Sequence, residues 1–355
     1  MNIETKMWLV HASCPQEEQI QEAAAWLREG RTVAFPTETV YGLGADARST
    51  EAVAAIFEAK GRPSDNPLIV HLADRSQLTE LTASPEEAVL CLLDAFWPGP
   101  LTVVLPVREG VLSPLVTAGL STVGVRIPDH PVARALIAAA GCPVAAPSAN
   151  RSGRPSPTLA AHVLEDLGGR IAGIVDGGAA GVGVESTVVE YRDGTVYVLR
   201  PGGVTAGELA RTLPDGVRLV MAAEAAPAAE ETPRAPGMKY AHYAPRGLLT
   251  IVHGHDREAV LARMRRELEA ARARGERTGA LLLGGHAEAV PADHVSVCGE
   301  RTDLELVARG LYAALRAFDE AGASFIVAEA CPETGLGEAI MNRLRKAAGG
   351  RELHV

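Results

Sequence analysis

The run TVAFPTETVYGLGADARSTEAVAAIFEAKGRPSDNPLIVHL, residues 32–72, spells out one strand–helix–strand unit. Residues 32–35 are apolar and β-rich, and Pro36 ends them because it has no N–H for a continuing ladder. Val53, Ile56 and Phe57 recur at helical spacing through residues 51–60, and Gly61 follows as a stop. Residues 68–72 then return to an apolar strand. The alternation continues outward, with strands predicted at 101–105, 123–127, 144–146, 171–175, 186–191 and 195–199. Helices are predicted at 131–140, where Pro131 suits a first turn, and at 158–167. Asp193-Gly194 joins the last two strands as a hairpin, so the expected fold is an α/β open twisted sheet of mixed direction.

At 355 residues the chain is long enough for two domains, each with its own core. The pattern breaks between Pro214 and Pro245 into Ala, Pro and Glu without an apolar period, which reads as a linker. The expected division is a first domain at 1–213, a linker at 214–247 and a second domain at 248–355. In the second, strands at 249–252, 279–283, 294–297 and 324–328 alternate with helices at 257–274 and 303–320, a small Rossmann-like parallel unit. No GxGxxG follows its first strand, and no solenoid repeat is visible.

Hydrophobic residues at 47% and charged residues at 22% place the chain among globular proteins. A net charge of -10 argues against a protein that coats nucleic acid with its general surface. Cys14, Cys91, Cys142, Cys298 and Cys331 are scattered without metal spacing and read as reduced thiols of a cytoplasmic protein. No apolar leader and no membrane span are expected.

The polar residues that stand out follow predicted strands, where ligands collect in open α/β sheets. Phe35-Pro36-Thr37-Glu38-Thr39-Val40-Tyr41-Gly42-Leu43-Gly44 sets hydroxyls and a carboxylate beside two glycines that would let backbone approach a ligand. An ordinary capped loop is the alternative. Lys60-Gly61-Arg62-Pro63-Ser64-Asp65-Asn66-Pro67 projects two cations from a rigid bend, as a polyphosphate requires, unless Lys60 only complements its helix dipole. In Ser121 to Pro128, Arg126 shares one strand face with Thr122 and Gly124; it needs either a ligand anion or a structural Asp or Glu. Ala146-Pro147-Ser148-Ala149-Asn150 and the Gly- and Pro-rich 151–157 that follows add hydroxyls and an amide. Glu185-Ser186-Thr187, Arg200-Pro201-Gly202 and the linker run 236–245 complete the set.

Together these segments resemble the threonylcarbamoyl-AMP synthases in their long, two-domain form, with a YrdC-like first domain. The motifs occur in the family's order across the first domain and linker, about two-thirds of the chain. The resemblance implies that L-threonine, bicarbonate and ATP become threonylcarbamoyl-AMP and pyrophosphate, for threonylcarbamoyladenosine in tRNA. By motif position it gives ATP to Lys60, Arg62, Ser64, Thr122, Ser148, Asn150, Ser156, Arg200 and Tyr243, the last as part of a linker lid. It gives threonine to Thr37, His71, Arg126, Ala146 and Ser186, with Arg126 on the carboxylate. His71 is the candidate base by titration range alone. Mg²⁺ is expected on the ATP phosphates, with no metal site of the protein's own. The expected partners are a downstream tRNA threonylcarbamoyl transferase and, weakly, RNA. An RNA-binding module with the same basic cleft, or a carbamoyl-adenylate-forming carbamoyltransferase, is the alternative; the latter should bring CxxC pairs and further domains.

Overall fold

The computed structural model describes residues 3–221, 243–285 and 287–355. Eleven strands form the first sheet: β1 Lys6–Leu9, β2 Val33–Phe35, β3 Gly42–Asp46, β4 Ile69–His71, β5 Leu101–Pro106, β6 Thr122–Arg126, β7 Val144–Ala145, β8 Gly173–Asp176, β9 Thr187–Arg192, β10 Thr195–Arg200 and β11 Arg218–Met221. Their order is β1-β8-β2-β3-β7-β4-β6-β5-β9-β10-β11. Parallel pairs such as β4 with β6 alternate with antiparallel pairs such as β5 with β6, so the sheet is mixed as expected.

Helices cover both faces. Glu17–Arg28 and Pro131–Ala140 pack over Trp8, Val33, Phe35 and Val144. Thr50–Lys60, Glu87–Phe96 and Ala160–Leu167 close the larger core around Leu43, Ile56, Val103 and Val125. Ser49 caps Thr50–Lys60 by accepting from the Ala52 N–H, and Gly61 ends it at φ 61°, as its position in the sequence implies.

The second sheet holds β12 Leu248–His253, β13 Thr278–Leu282, β14 His294–Val297, β15 Phe325–Glu329 and β16 Glu352–His354, all parallel in the order β14-β13-β15-β12-β16. Helices Arg257–Ala273, Leu304–Glu320 and Leu336–Ala348 connect them. This is the Rossmann-like unit the sequence predicts.

Three readings are corrected. Residues 42–46 are a strand rather than a ligand-approach loop: a Cβ on Gly44 would lie 2.7 Å from the Phe35 ring and 2.9 Å from Val144. Gly44 thus serves strand packing. Residues 218–221, placed in the linker, are the edge strand β11, paired in parallel with β10. Compact units also interleave in sequence, since Gly153–Ser156 and Val182–Val184 group with described residues between Tyr243 and Val355. The linker readings at 222–242 lie outside the described residues.

All five cysteines are unpaired. Burial pushes the thiols of Cys142, Cys298 and Cys331 up to about 11, 12 and 12, while Cys14 is exposed and Cys91 half-buried.

Candidate functional site

β4 and β6 lie side by side in parallel, with Ile69 opposite Gly124 and His71 opposite Arg126. Alternation along both strands therefore puts Ile69, His71, Gly124 and Arg126 on one face. The neighbouring strands continue this face with Thr102, Val104 and Val188. Its floor is apolar, a small cluster of Ile69, Val104 and Val188 joined by Leu199.

Arg126 is 3% exposed, and its charge is met by two groups from the first motif. Nη1 donates to Thr39 Oγ1 at 2.9 Å, and Nη2 donates to Glu38 Oε2 at 2.6 Å. A strand arginine in an apolar sheet needs such partners, and the sequence reading left open whether they would be ligand or protein. Here a protein carboxylate takes one edge of the guanidinium. Arg126 Nε and Glu38 Oε1 are both buried without a hydrogen-bond partner.

Beside them His71 is also buried, and its Nδ1 has no partner. Burial, with the Arg126 cation adjacent, lowers the imidazole to about 3. It is therefore neutral at physiological pH.

Thr37 closes the turn that presents Glu38 and Thr39. Its hydroxyl donates to the Val40 carbonyl at 2.7 Å and accepts from the N–H groups of Thr39 and Val40. Ala146 follows β7, and its N–H donates to the Ile69 carbonyl at 3.0 Å.

On the other flank, a bulge between Val198 and Arg200 re-aims Arg200 toward Ser186. Its Nη2 donates to the Ser186 carbonyl at 2.9 Å and to the Ser186 hydroxyl at 3.2 Å, while that hydroxyl lies 2.8 Å from Thr102 Oγ1. Gly202 makes this approach possible, because a Cβ there would lie 2.3 to 2.4 Å from the backbone of residues 185–187. Thr122 is half-buried at the start of β6.

The two cations of the second motif are held in different ways. Lys60 is buried rather than projected, and its Nζ donates to the carbonyls of Ser148 and Asn150. Burial, reinforced by the nearby Arg62 cation and opposed by Asp166, pushes its ammonium well below the lysine range. Lys60 is thus a brace for the loop, within which Ser148 Oγ donates to Asn150 Oδ1 at 2.6 Å. Arg62 donates to the carbonyls of Asn66 and Pro67, and Ser64 is exposed. Asn66 is fully buried, and both of its amide atoms lack a hydrogen-bond partner.

Glu38, Thr39, Asn66 and Thr102 carry no individual role in the sequence motifs. The signal for Glu38 was present: a buried arginine in a strand demands an acid. Ser156 and Tyr243 belong to the second unit, where the Tyr243 ring lies 5.3 Å from Tyr312 and 5.7 Å from the Arg343 guanidinium.

Fold and site together define an α/β protein whose sheet carries a buried arginine beside an apolar cluster. Residues 25–202 match the Sua5–YciO–YrdC family model, described as "Telomere recombination", and residues 204–349 match "Threonylcarbamoyl-AMP synthase, C-terminal domain". The chain is 52% identical to the threonylcarbamoyl-AMP synthase of Bacillus subtilis over 98% of its length and 99% of the relative's. It is 46% identical to that of Pyrococcus abyssi over 96% of its length and 97% of the relative's. The crystal structure of P. abyssi Sua5 complexed with L-threonine superposes with a TM-score of 0.92 at 44% identity, covering 99% of this chain and all of that one. The chain belongs to the threonylcarbamoyl-AMP synthase family in its two-domain form.

Proposed function

We propose that the chain condenses L-threonine, bicarbonate and ATP into threonylcarbamoyl-AMP and pyrophosphate, the activated group for threonylcarbamoyladenosine in tRNA. The observation that carries this reading is the buried Arg126–His71 pair on adjacent strands, each with a buried nitrogen that lacks a partner, in a chain so similar to named synthases.

Arg126 receives the threonine carboxylate. His71, neutral, hydrogen-bonds to the substrate without adding charge. Ser186, Ala146 and the turn closed by Thr37 line the same amino-acid site, and the apolar floor admits the threonine methyl. ATP is assigned to the Lys60-braced loop of Ser148 and Asn150 and to Arg62, Ser64, Thr122 and Arg200. Ser156 and Tyr243 join this set on the resemblance alone. The enzyme's contribution is mostly orientation and charge neutralisation as the carbamate oxygen attacks the α-phosphorus. Mg²⁺ is assigned to the phosphates of ATP as substrate. A downstream tRNA threonylcarbamoyl transferase takes the product in the cytoplasm.

The test is pyrophosphate release with ATP, Mg²⁺ and bicarbonate, comparing L-threonine, L-serine, L-valine and no amino acid. Release that requires both threonine and bicarbonate is expected. Serine should be the leading misreading, because one methyl is worth only about 1–3 kcal/mol. Release indifferent to threonine would remove the proposal.

A further inference from the structure

The reading above gives Arg126 to the carboxylate of the amino acid and leaves its amino group without a partner. We infer that Glu38 is that partner, so that Glu38 and Arg126 together form a zwitterion-binding pair selective for α-amino acids. The inference rests on the proposed function and deepens it.

One Glu38 oxygen, Oε2, is held by Arg126 Nη2 at 2.6 Å. The other, Oε1, is buried and has no donor. On the arginine, Nη1 and Nη2 are engaged by Thr39 and Glu38, while Nε is equally buried and has no acceptor. An enclosed carboxylate oxygen without a donor is unfavourable, and so is an enclosed N–H without an acceptor. An acceptor and a donor left without partners on one ion pair call for a ligand with a cation for one and an anion for the other.

An α-amino acid fits that description, since its ammonium and carboxylate hang from one carbon. The protein presents the complementary charges in direct contact. The Glu38–Arg126 pair is also neutral as a unit. A simple carboxylate therefore gains little from it, whereas a zwitterion is matched at both ends. His71, the other titratable group beside Arg126, is uncharged at neutral pH and leaves this balance undisturbed.

Glu38→Gln tests the idea, because it keeps the size and an oxygen that can accept from Arg126 but removes the negative charge. Calorimetric titration of the full chain should compare L-threonine with its 2-hydroxy analogue, which keeps the carboxylate and side-chain hydroxyl but lacks the amine. In Glu38→Gln, threonine affinity should fall about 10- to 100-fold while analogue affinity holds, so the preference collapses. Equal losses for both ligands, or an unchanged preference, would overturn the inference and leave Glu38 as a brace for Arg126. If Glu38→Gln does not fold, Glu38→Asp, which retracts the charge by one methylene, must still weaken threonine more than the analogue. A wild type that forms no threonylcarbamoyl-AMP sinks the proposed function. An active wild type with an indifferent Glu38→Gln sinks only the role of Glu38.

Discussion

Arg126 and Glu38 each make the other's burial tolerable, since their side chains are 4% and 11% exposed. Removing either partner leaves an uncompensated charge, which typically costs about 3–5 kcal/mol. Arg126→Ala should therefore lower stability by that order in urea denaturation and abolish threonine-dependent pyrophosphate release; undiminished stability would show that the pair does not depend on mutual burial. His71 predicts the acid behaviour. Its imidazole takes a proton near 3 in the fold, against 6.5 ordinarily. Between those values the unfolded chain binds the extra proton, so this contribution to stability is present above about 6.5 and lost as pH falls toward 3. His71→Asn should flatten the dependence of the melting temperature on pH across that window. A mutant with the same slope as wild type would assign the acid sensitivity to other groups.

The elements explain why part of the site was legible and part was not. Strand–helix alternation, the Gly61 stop and the Pro131 start are local signals, and the structure follows them within a residue or two. Arg126 was legible because alternation along β6 fixes its face whatever the neighbours are. The direction of Lys60 was not, because its acceptors, the Ser148 and Asn150 carbonyls, come from a loop almost ninety residues away. Strand β3 was missed because its glycines mimic a loop, and only the nearby Phe35 ring and Val144 explain them. Gly202 is similar: in sequence the end of a short motif, in space the point where backbone crosses residues 185–187. Gly202→Ala should destabilise by about 1–3 kcal/mol, because backbone cannot yield as a side chain does. Nucleotide affinity should fall with it as Arg200 shifts. Full stability and affinity would mean that the loop relaxes freely.

At the scale of the whole molecule, the units do not divide the chain at a single point. The Gly153 carbonyl accepts from the Ala244 N–H, the Pro155 carbonyl from Arg316, and Arg154 pairs with Asp319, all within the second unit. A chain ended before Tyr243 should thus show faster hydrogen exchange at 153–156 than the full chain. Unchanged protection would make those contacts dispensable. The cysteine inventory carries a practical consequence. The thiolate is the nucleophile, so Cys142, Cys298 and Cys331, buried and held as thiols to about 11 or beyond, are inert to maleimides near neutral pH. Cys14, exposed in the loop between β1 and helix Glu17–Arg28, reacts first, with half-buried Cys91 lagging. The native chain therefore supplies its own attachment point for a fluorescent dye, and its conformational kinetics can be followed without engineering a single cysteine.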